Sequence, residues 1–91
     1  MTSELEPAEQ RVRIFEAILL AVDRRTELLD LVASSTSLDE SLQAVSREFD
    51  LDDIQAQAVL DLQVRRFATN ERAKIVEILA SAREHVAHLR G

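Results

Sequence analysis

A single glycine, Gly91, and a single proline, Pro7, punctuate this chain of 91 residues. Those two residue types supply most of the special backbone geometry of tight turns. A chain almost without them is poorly equipped to join many short strands by hairpins. The good helix formers Leu, Ala, Glu and Arg are abundant, and three phenylalanines are the only aromatics. The expected class is therefore all-α.

A chain of this length forms one domain and buries only about 60–65% of the surface its unfolded form exposes, so a partner that covers apolar surface matters. The absence of cysteine excludes a disulfide framework, a zinc ribbon and a thiol nucleophile. The start MTSELEPAEQ has neither the basic head nor the apolar run of a secretory signal, and no stretch approaches ~18 uninterrupted apolar residues. No membrane role is expected, and the default compartment is the cytoplasm. A net charge of −6 opposes general attraction to nucleic acid or anionic lipid. One local exception is RRFATNERAK, where Arg65, Arg66, Arg72 and Lys74 outnumber Glu71; a solvated helix junction is the competing reading of that patch.

Periodicity sets the organisation. Residues 1–6 carry Glu4 and Glu6 without apolar rhythm and read as a flexible acidic leader, and residues 7–91 as a single helical domain. Pro7 suits a first helical position, where the missing N–H is no loss. Ala8, Val12, Phe15, Leu19 and Val22 then step four, three, four, three, a heptad seam. Ile14, Ile18 and Leu20 widen that stripe toward a globular core. Asp23-Arg24-Arg25-Thr26 interrupts it, predicting a kink or short break, and Leu28, Leu29, Leu31 and Val32 form a second run ending near Ser34-Ser35-Thr36. Ser37 and Glu40 have capping-box spacing, so a short helix should follow with Leu38, Leu42, Val45 and Phe49 on one face. Asp50 to Asp53 offer a further N-cap. The last helix, about Thr69 to Leu89, repeats the seam in Ile75, Leu79, Ala82, Val86 and Leu89. Two terminal seams around a helical middle predict an antiparallel coiled-coil stub, arms about 8–23 and 70–90, roughly 25 Å long, with a small globule, about 27–67, at its tip.

The stretch DIQAQAVLDLQVRRF, residues 53–67, reads as one helix with too much apolar surface. At about 100° per residue, Leu51, Ile54, Ala58, Val59 and Leu62 share one sector, and Ala56, Leu60, Val64 and Phe67 another. Either the helix is enclosed by its own domain, or one sector meets a second copy, with Ala56 and Ala58 permitting close backbone approach. A homodimer is the simplest form of the second reading, because a twofold axis presents the same patch twice.

The residues QAQAVLDLQVRRF, followed by NERAKIVEIL, resemble the end of the breakage–reunion part of the gyrase A and topoisomerase IV A family of proteins. RIFEAILLAVDRRTELLDLVASS and SLQAVSREFDLDDIQAQAVLDL extend the likeness over about residues 8–90. The resemblance implies the tip of a long antiparallel coiled coil, a helical globule forming the exit gate and its dimer contact. It points to Gln55, Ala56, Val59, Leu60, Gln63, Val64 and Phe67 as the interface. Such enzymes cut DNA through a tyrosine, and this chain has none. Where the family reads threonine-glycine-leucine-glutamate, this chain has Ala68-Thr69-Asn70-Glu71; the threonine cap is lost, and Thr69 or Asn70 is expected to cap a last helix that begins a residue or two later. Met1, the polar leader and Pro7 suggest a stand-alone gate-like protein rather than an excised fragment of the DNA-cleaving chain of a type II topoisomerase.

Nothing points to catalysis. His85 and His88 next to Glu84 lack a third ligand, and Asp50, Asp52 and Asp53 lack the glycine and terminal glutamate of a calcium loop. No Ser or Thr stands at a motif-like spacing from a histidine, and no Gly-rich phosphate loop exists. The expectation is a non-enzymatic dimerisation module without metal or cofactor, which modulates DNA gyrase or topoisomerase IV by binding its gyrase A-type chain. The alternatives are a nucleic-acid accessory protein using Arg65, Arg66, Arg72 and Lys74, or a fragment of a larger type II topoisomerase A-type chain.

Overall fold

The computed structural model describes residues 4–91 as five α-helices and one 3-10 helix, with no strand among the described residues. Helix α1 runs Leu5–Asp23, two residues ahead of the expected start. Pro7 therefore lies in the first turn rather than at its first position, still where no intrahelical N–H bond is lost. Leu5 and Glu6 belong to the helix and not to the leader; residues 1–3 of that leader fall outside the described residues.

The interruption after Asp23 is a one-residue break at Arg24 (φ −115°, ψ 36°), followed by α2, Arg25–Ala33. Arg24 fastens the corner: its guanidinium pairs with Glu27 and stacks 4.4 Å from the Phe49 ring centroid. The break thus fixes α2 against the end of α3, Leu38–Glu48. Ser34 and Ser35 close α2 by donating their hydroxyls to the Asp30 and Leu31 carbonyls. Ser37 caps α3, accepting from the Glu40 N–H at 3.1 Å. The reciprocal half of the box is displaced by one residue, because Glu40 takes the Thr36 N–H and hydroxyl instead of the Ser37 N–H.

Asp50 ends α3 rather than beginning α4. Its φ of 54° is the left-handed turn that lets the Leu51 N–H reach the Ser46 carbonyl at 2.9 Å, the six-to-one bond of a Schellman ending. The N-cap of α4, Asp53–Leu60, is Asp52. It accepts from the Gln55 N–H (2.8 Å) while the Gln55 side chain accepts from the Asp52 N–H (3.0 Å), a complete capping box.

The continuous helix expected over 53–67 is not present. α4 stops at Leu60; Asp61 to Gln63 turn, and Val64–Phe67 form the 3-10 helix before α5, Thr69–Arg90. The turn brings Leu60, Leu62 and Phe67 together against the core cluster, whereas a straight helix would set Leu62 on the side away from Leu60 and Phe67. α5 begins at Thr69 without the expected delay. Ala68 holds the N-cap with no side-chain bond, its carbonyl accepting from the Glu71 N–H at 2.9 Å.

Helix α1 is the shared wall. Ala17 and Ala21 join Leu28, Val45, Phe49, Ala56 and Val59 in the main cluster. Alanines one turn apart let α4 cross close to α1, and the Gln55 amide donates to the Arg13 carbonyl at 2.9 Å over that crossing. Toward α5, Ala8 and Val22 meet a seam whose Ile75, Leu79, Ala82 and Val86 are all buried. Three ion pairs set the antiparallel register: Glu9 with Arg90, Glu16 with Arg83 (3.0 Å) and Asp23 with Arg72 (2.6 Å). With α5 on one side of α1 and the globule on the other, the molecule is flat, 45 × 32 × 17 Å. No described helix is long and apolar enough to cross a membrane.

Candidate dimer interface

The segment Asp53–Phe67 divides its side chains differently from the two sectors expected of a straight helix. Ala56 and Val59, both expected in the contact, are 1% and 2% exposed and belong to this chain's own core. A partner cannot touch them without unpacking α4 from α1. Where close approach of Ala56 to a second copy was expected, Ala56 instead shares the buried cluster of its own chain with Ala17 and Ala21.

Gln55 is half-buried and occupied by its two backbone partners, Arg13 and Asp52. Leu60 and Phe67 are half-buried against the core, each with part of its surface in solvent. Gln63 is exposed, accepting from the Arg65 Nε. Val64 stands out at 79% exposed, a large apolar side chain held on the short 3-10 helix. Of the seven expected residues, the structure leaves Leu60, Gln63, Val64 and Phe67 as a surface group.

Ile54, on α4 itself, is also exposed, at 51%. At about 100° per residue Ile54 and Ala58 lie on the side of α4 opposite Ala56 and Val59. Apolar periodicity cannot orient a helix that is apolar on both sides. The available signal is the pair Ala17 and Ala21, whose spacing of four marks the smooth strip on α1 that a small residue such as Ala56 meets.

The basic patch is largely self-neutralised. Arg72 donates to the Asp23 carboxylate from Nε and Nη2, at 2.6 and 3.0 Å. Glu71 binds Lys74 at 2.8 Å and Arg66 at 3.4 Å. Arg65 alone of the four forms no close ion pair among the described residues, its Nε donating to Gln63. The Lys74 hydrogen bond, with the charges of Lys74, Arg66 and Arg65, holds the Glu71 carboxyl below its ordinary range, and the Arg72 hydrogen bond does the same to Asp23. Arg72 therefore braces α5 against α1 and Arg66 the 3-10 helix against α5, while Lys74 pairs with Glu71 within α5. Among the described residues no cluster of three or more His, Asp or Glu could hold a metal ion; His85 and His88 are exposed on α5.

Sequence relatives share this segment and nearly all of the chain around it. The chain is 38% identical over 88 residues to the DNA gyrase A protein of Mycobacterium leprae and 39% over 85 residues to that of Mycolicibacterium smegmatis. It is 34% identical over 86 residues to that of Dehalogenimonas lykanthroporepellens. These alignments take in 97%, 93% and 94% of this chain but only 7%, 10% and 11% of the relatives. The chain thus spans about a tenth of the length of the curated relatives it matches. No protein-family model matches it.

Proposed function

We propose, on the premise that this chain is homologous to one short region of the DNA gyrase A protein, that it is a non-catalytic dimerisation module equivalent to the exit-gate tip. The observation that carries this reading is that the homology runs through nearly the whole chain, including Asp53–Phe67. The exposed Val64, with the half-covered Leu60 and Phe67, is the apolar surface such a contact requires. The module acts by contact: its 91 residues contain no tyrosine to attack a phosphodiester.

A second copy of the chain is the first partner, and the gyrase A-type chain of DNA gyrase or topoisomerase IV the second. Exchange of one gate half for this module gives a mixed gate, which modulates strand passage in the cytoplasm. Two measurements test the reading. Light scattering coupled to size exclusion should give twice the chain mass. Purified gyrase A protein should be retained by the immobilised module, and excess module should alter supercoiling. A monomer at all concentrations, or an unchanged supercoiling rate with no retention, overturns the corresponding half.

A further inference from the structure

We infer that the exposed face of α2 docks a cationic amphipathic helix of another protein, whose apolar residues cover Leu29 and Val32 and whose lysine or arginine meets Asp30. This surface is separate from the dimer contact proposed above and does not rest on it. Leu29 and Val32, one turn apart, are 52% and 38% exposed. At about 100° per residue they flank the side that Leu28 buries, and the exposed Ala33 lies between Leu29 and Asp30 without bulk to hold a partner away. The turn of residues 34–37 and the stacking of Arg24 on Phe49 hold α2 and α3 antiparallel. Leu38, 63% exposed at the start of α3, therefore extends the apolar surface at the Val32 end.

Charge selects the occupant. Residues 26–46 contain Glu27, Asp30, Asp39 and Glu40 and no lysine or arginine, so a second copy apposed on this face sets acid against acid. Glu27 is taken by Arg24 and Glu40 by Thr36, whereas Asp30 and Asp39 form no ion pair among the described residues. Asp39 has a local use, since in the first turn of α3 it favours the positive end of that helix dipole. Asp30 has none. It stands in the last turn of α2, where a carboxylate opposes the negative end of the dipole, and no basic residue occupies that turn. Ser34 and Ser35 satisfy the final carbonyls with neutral hydroxyls and bring no charge. Arg25, the cation nearest this face along α2, turns back to donate to the Val22 carbonyl at 3.2 Å.

Asp30 also borders a groove that it shares with Glu27, Leu31, Ser34 and, from the end of α3, Glu48. The stem of a lysine or arginine lies along Leu31 there while its head reaches Asp30 and Glu48. Such a cation relieves a repulsion that the fold leaves standing. An amphipathic helix brings it together with apolar side chains at the one-turn spacing of Leu29 and Val32.

The test titrates the full chain into a fluorescent leucine–lysine peptide patterned as an amphipathic helix, read by anisotropy. A leucine–glutamate peptide of the same pattern and a leucine–lysine peptide scrambled out of helical period serve as contrasts. The patterned cationic peptide should bind, the other two should not, and salt should weaken the complex. Leu29→Ser and Val32→Ser should each raise Kd about tenfold, and Asp30→Asn several-fold without lowering the denaturation midpoint. Val64→Ser should leave Kd unchanged, and Leu29→Ser should leave the light-scattering mass of the free chain unchanged, which separates this face from the dimer contact. No binding, equal binding of the scrambled peptide, or wild-type Kd in the Leu29→Ser, Val32→Ser and Asp30→Asn variants overturns the proposal. So does a mass that falls in Leu29→Ser, because the face then belongs to a second copy. Reduced helicity by circular dichroism in Leu29→Ser shifts the decision to Ala33→Arg, which removes nothing from the core and should block the peptide by bulk and charge.

Discussion

Asp50 is the one described residue other than glycine with a positive φ, and its 54° is the hinge from α3 into the loop before α4. The left-handed region is strained for an L-residue, less for Asp than for a β-branched residue and least for glycine. Asp50→Gly should hold or raise stability by up to ~1 kcal/mol, and Asp50→Val should lower it by about 1–2 kcal/mol, read from urea midpoints at constant m-value. Sequence alone groups Asp50 with the α4 cap, because three aspartates within four residues all suit an N-terminus equally. Only the position of the chain reversal separates the residue that ends one helix from the one that starts the next. In the core, Val45 is fully buried and central to the cluster, so Val45→Ala should cost about 2 kcal/mol, whereas Val32→Ala, on the surface, should stay within about 0.5 kcal/mol.

Among the elements, the capped helices are the legible ones. Ser37 and Asp52 each accept a backbone N–H three residues on, and alanine at either should cost roughly 1 kcal/mol, with Asp52→Ala also releasing Gln55 from its reciprocal bond. Both helix seams are visible as four-three steps, and α5 buries four of its five seam residues. The end of α4 is not visible. No Gly or Pro marks Asp61, and the segment bends because Leu60, Leu62 and Phe67 gain more from the core than the extra helical bonds would return. The charged joints add a pH dependence. Hydrogen bonds from Arg72, Arg24, Thr36 and Lys74 lower the carboxyls of Asp23, Glu27, Glu40 and Glu71. Groups depressed in the folded state stabilise it fully above their unfolded values and lose that contribution as pH falls through the folded ones. The denaturation midpoint should hold from neutrality to about pH 5.5 and fall below about pH 4.5. The partners are solvent-exposed, so the drop should be modest and should shrink in high salt.

For the whole molecule, the antiparallel register of α1 and α5 rests on a buried seam reinforced by exposed pairs. Arg83→Ala with Arg90→Ala should change stability by less than about 1 kcal/mol, while Leu79→Ala should cost about 2–5 kcal/mol. The sequence by itself determined the helical class, the seam of α5, the break near Arg24 and the caps at Ser37 and Asp52, because each follows from local backbone preference or from period along one helix. It also contained the likeness of Gln55–Phe67 to the gyrase A region. Tertiary structure alone decided which side of α4 faces inward. Both sides of that helix are apolar, so burial there depends on what crosses it: Ala56 and Val59 join the cluster that holds the α1 alanines, and Ile54 is left exposed.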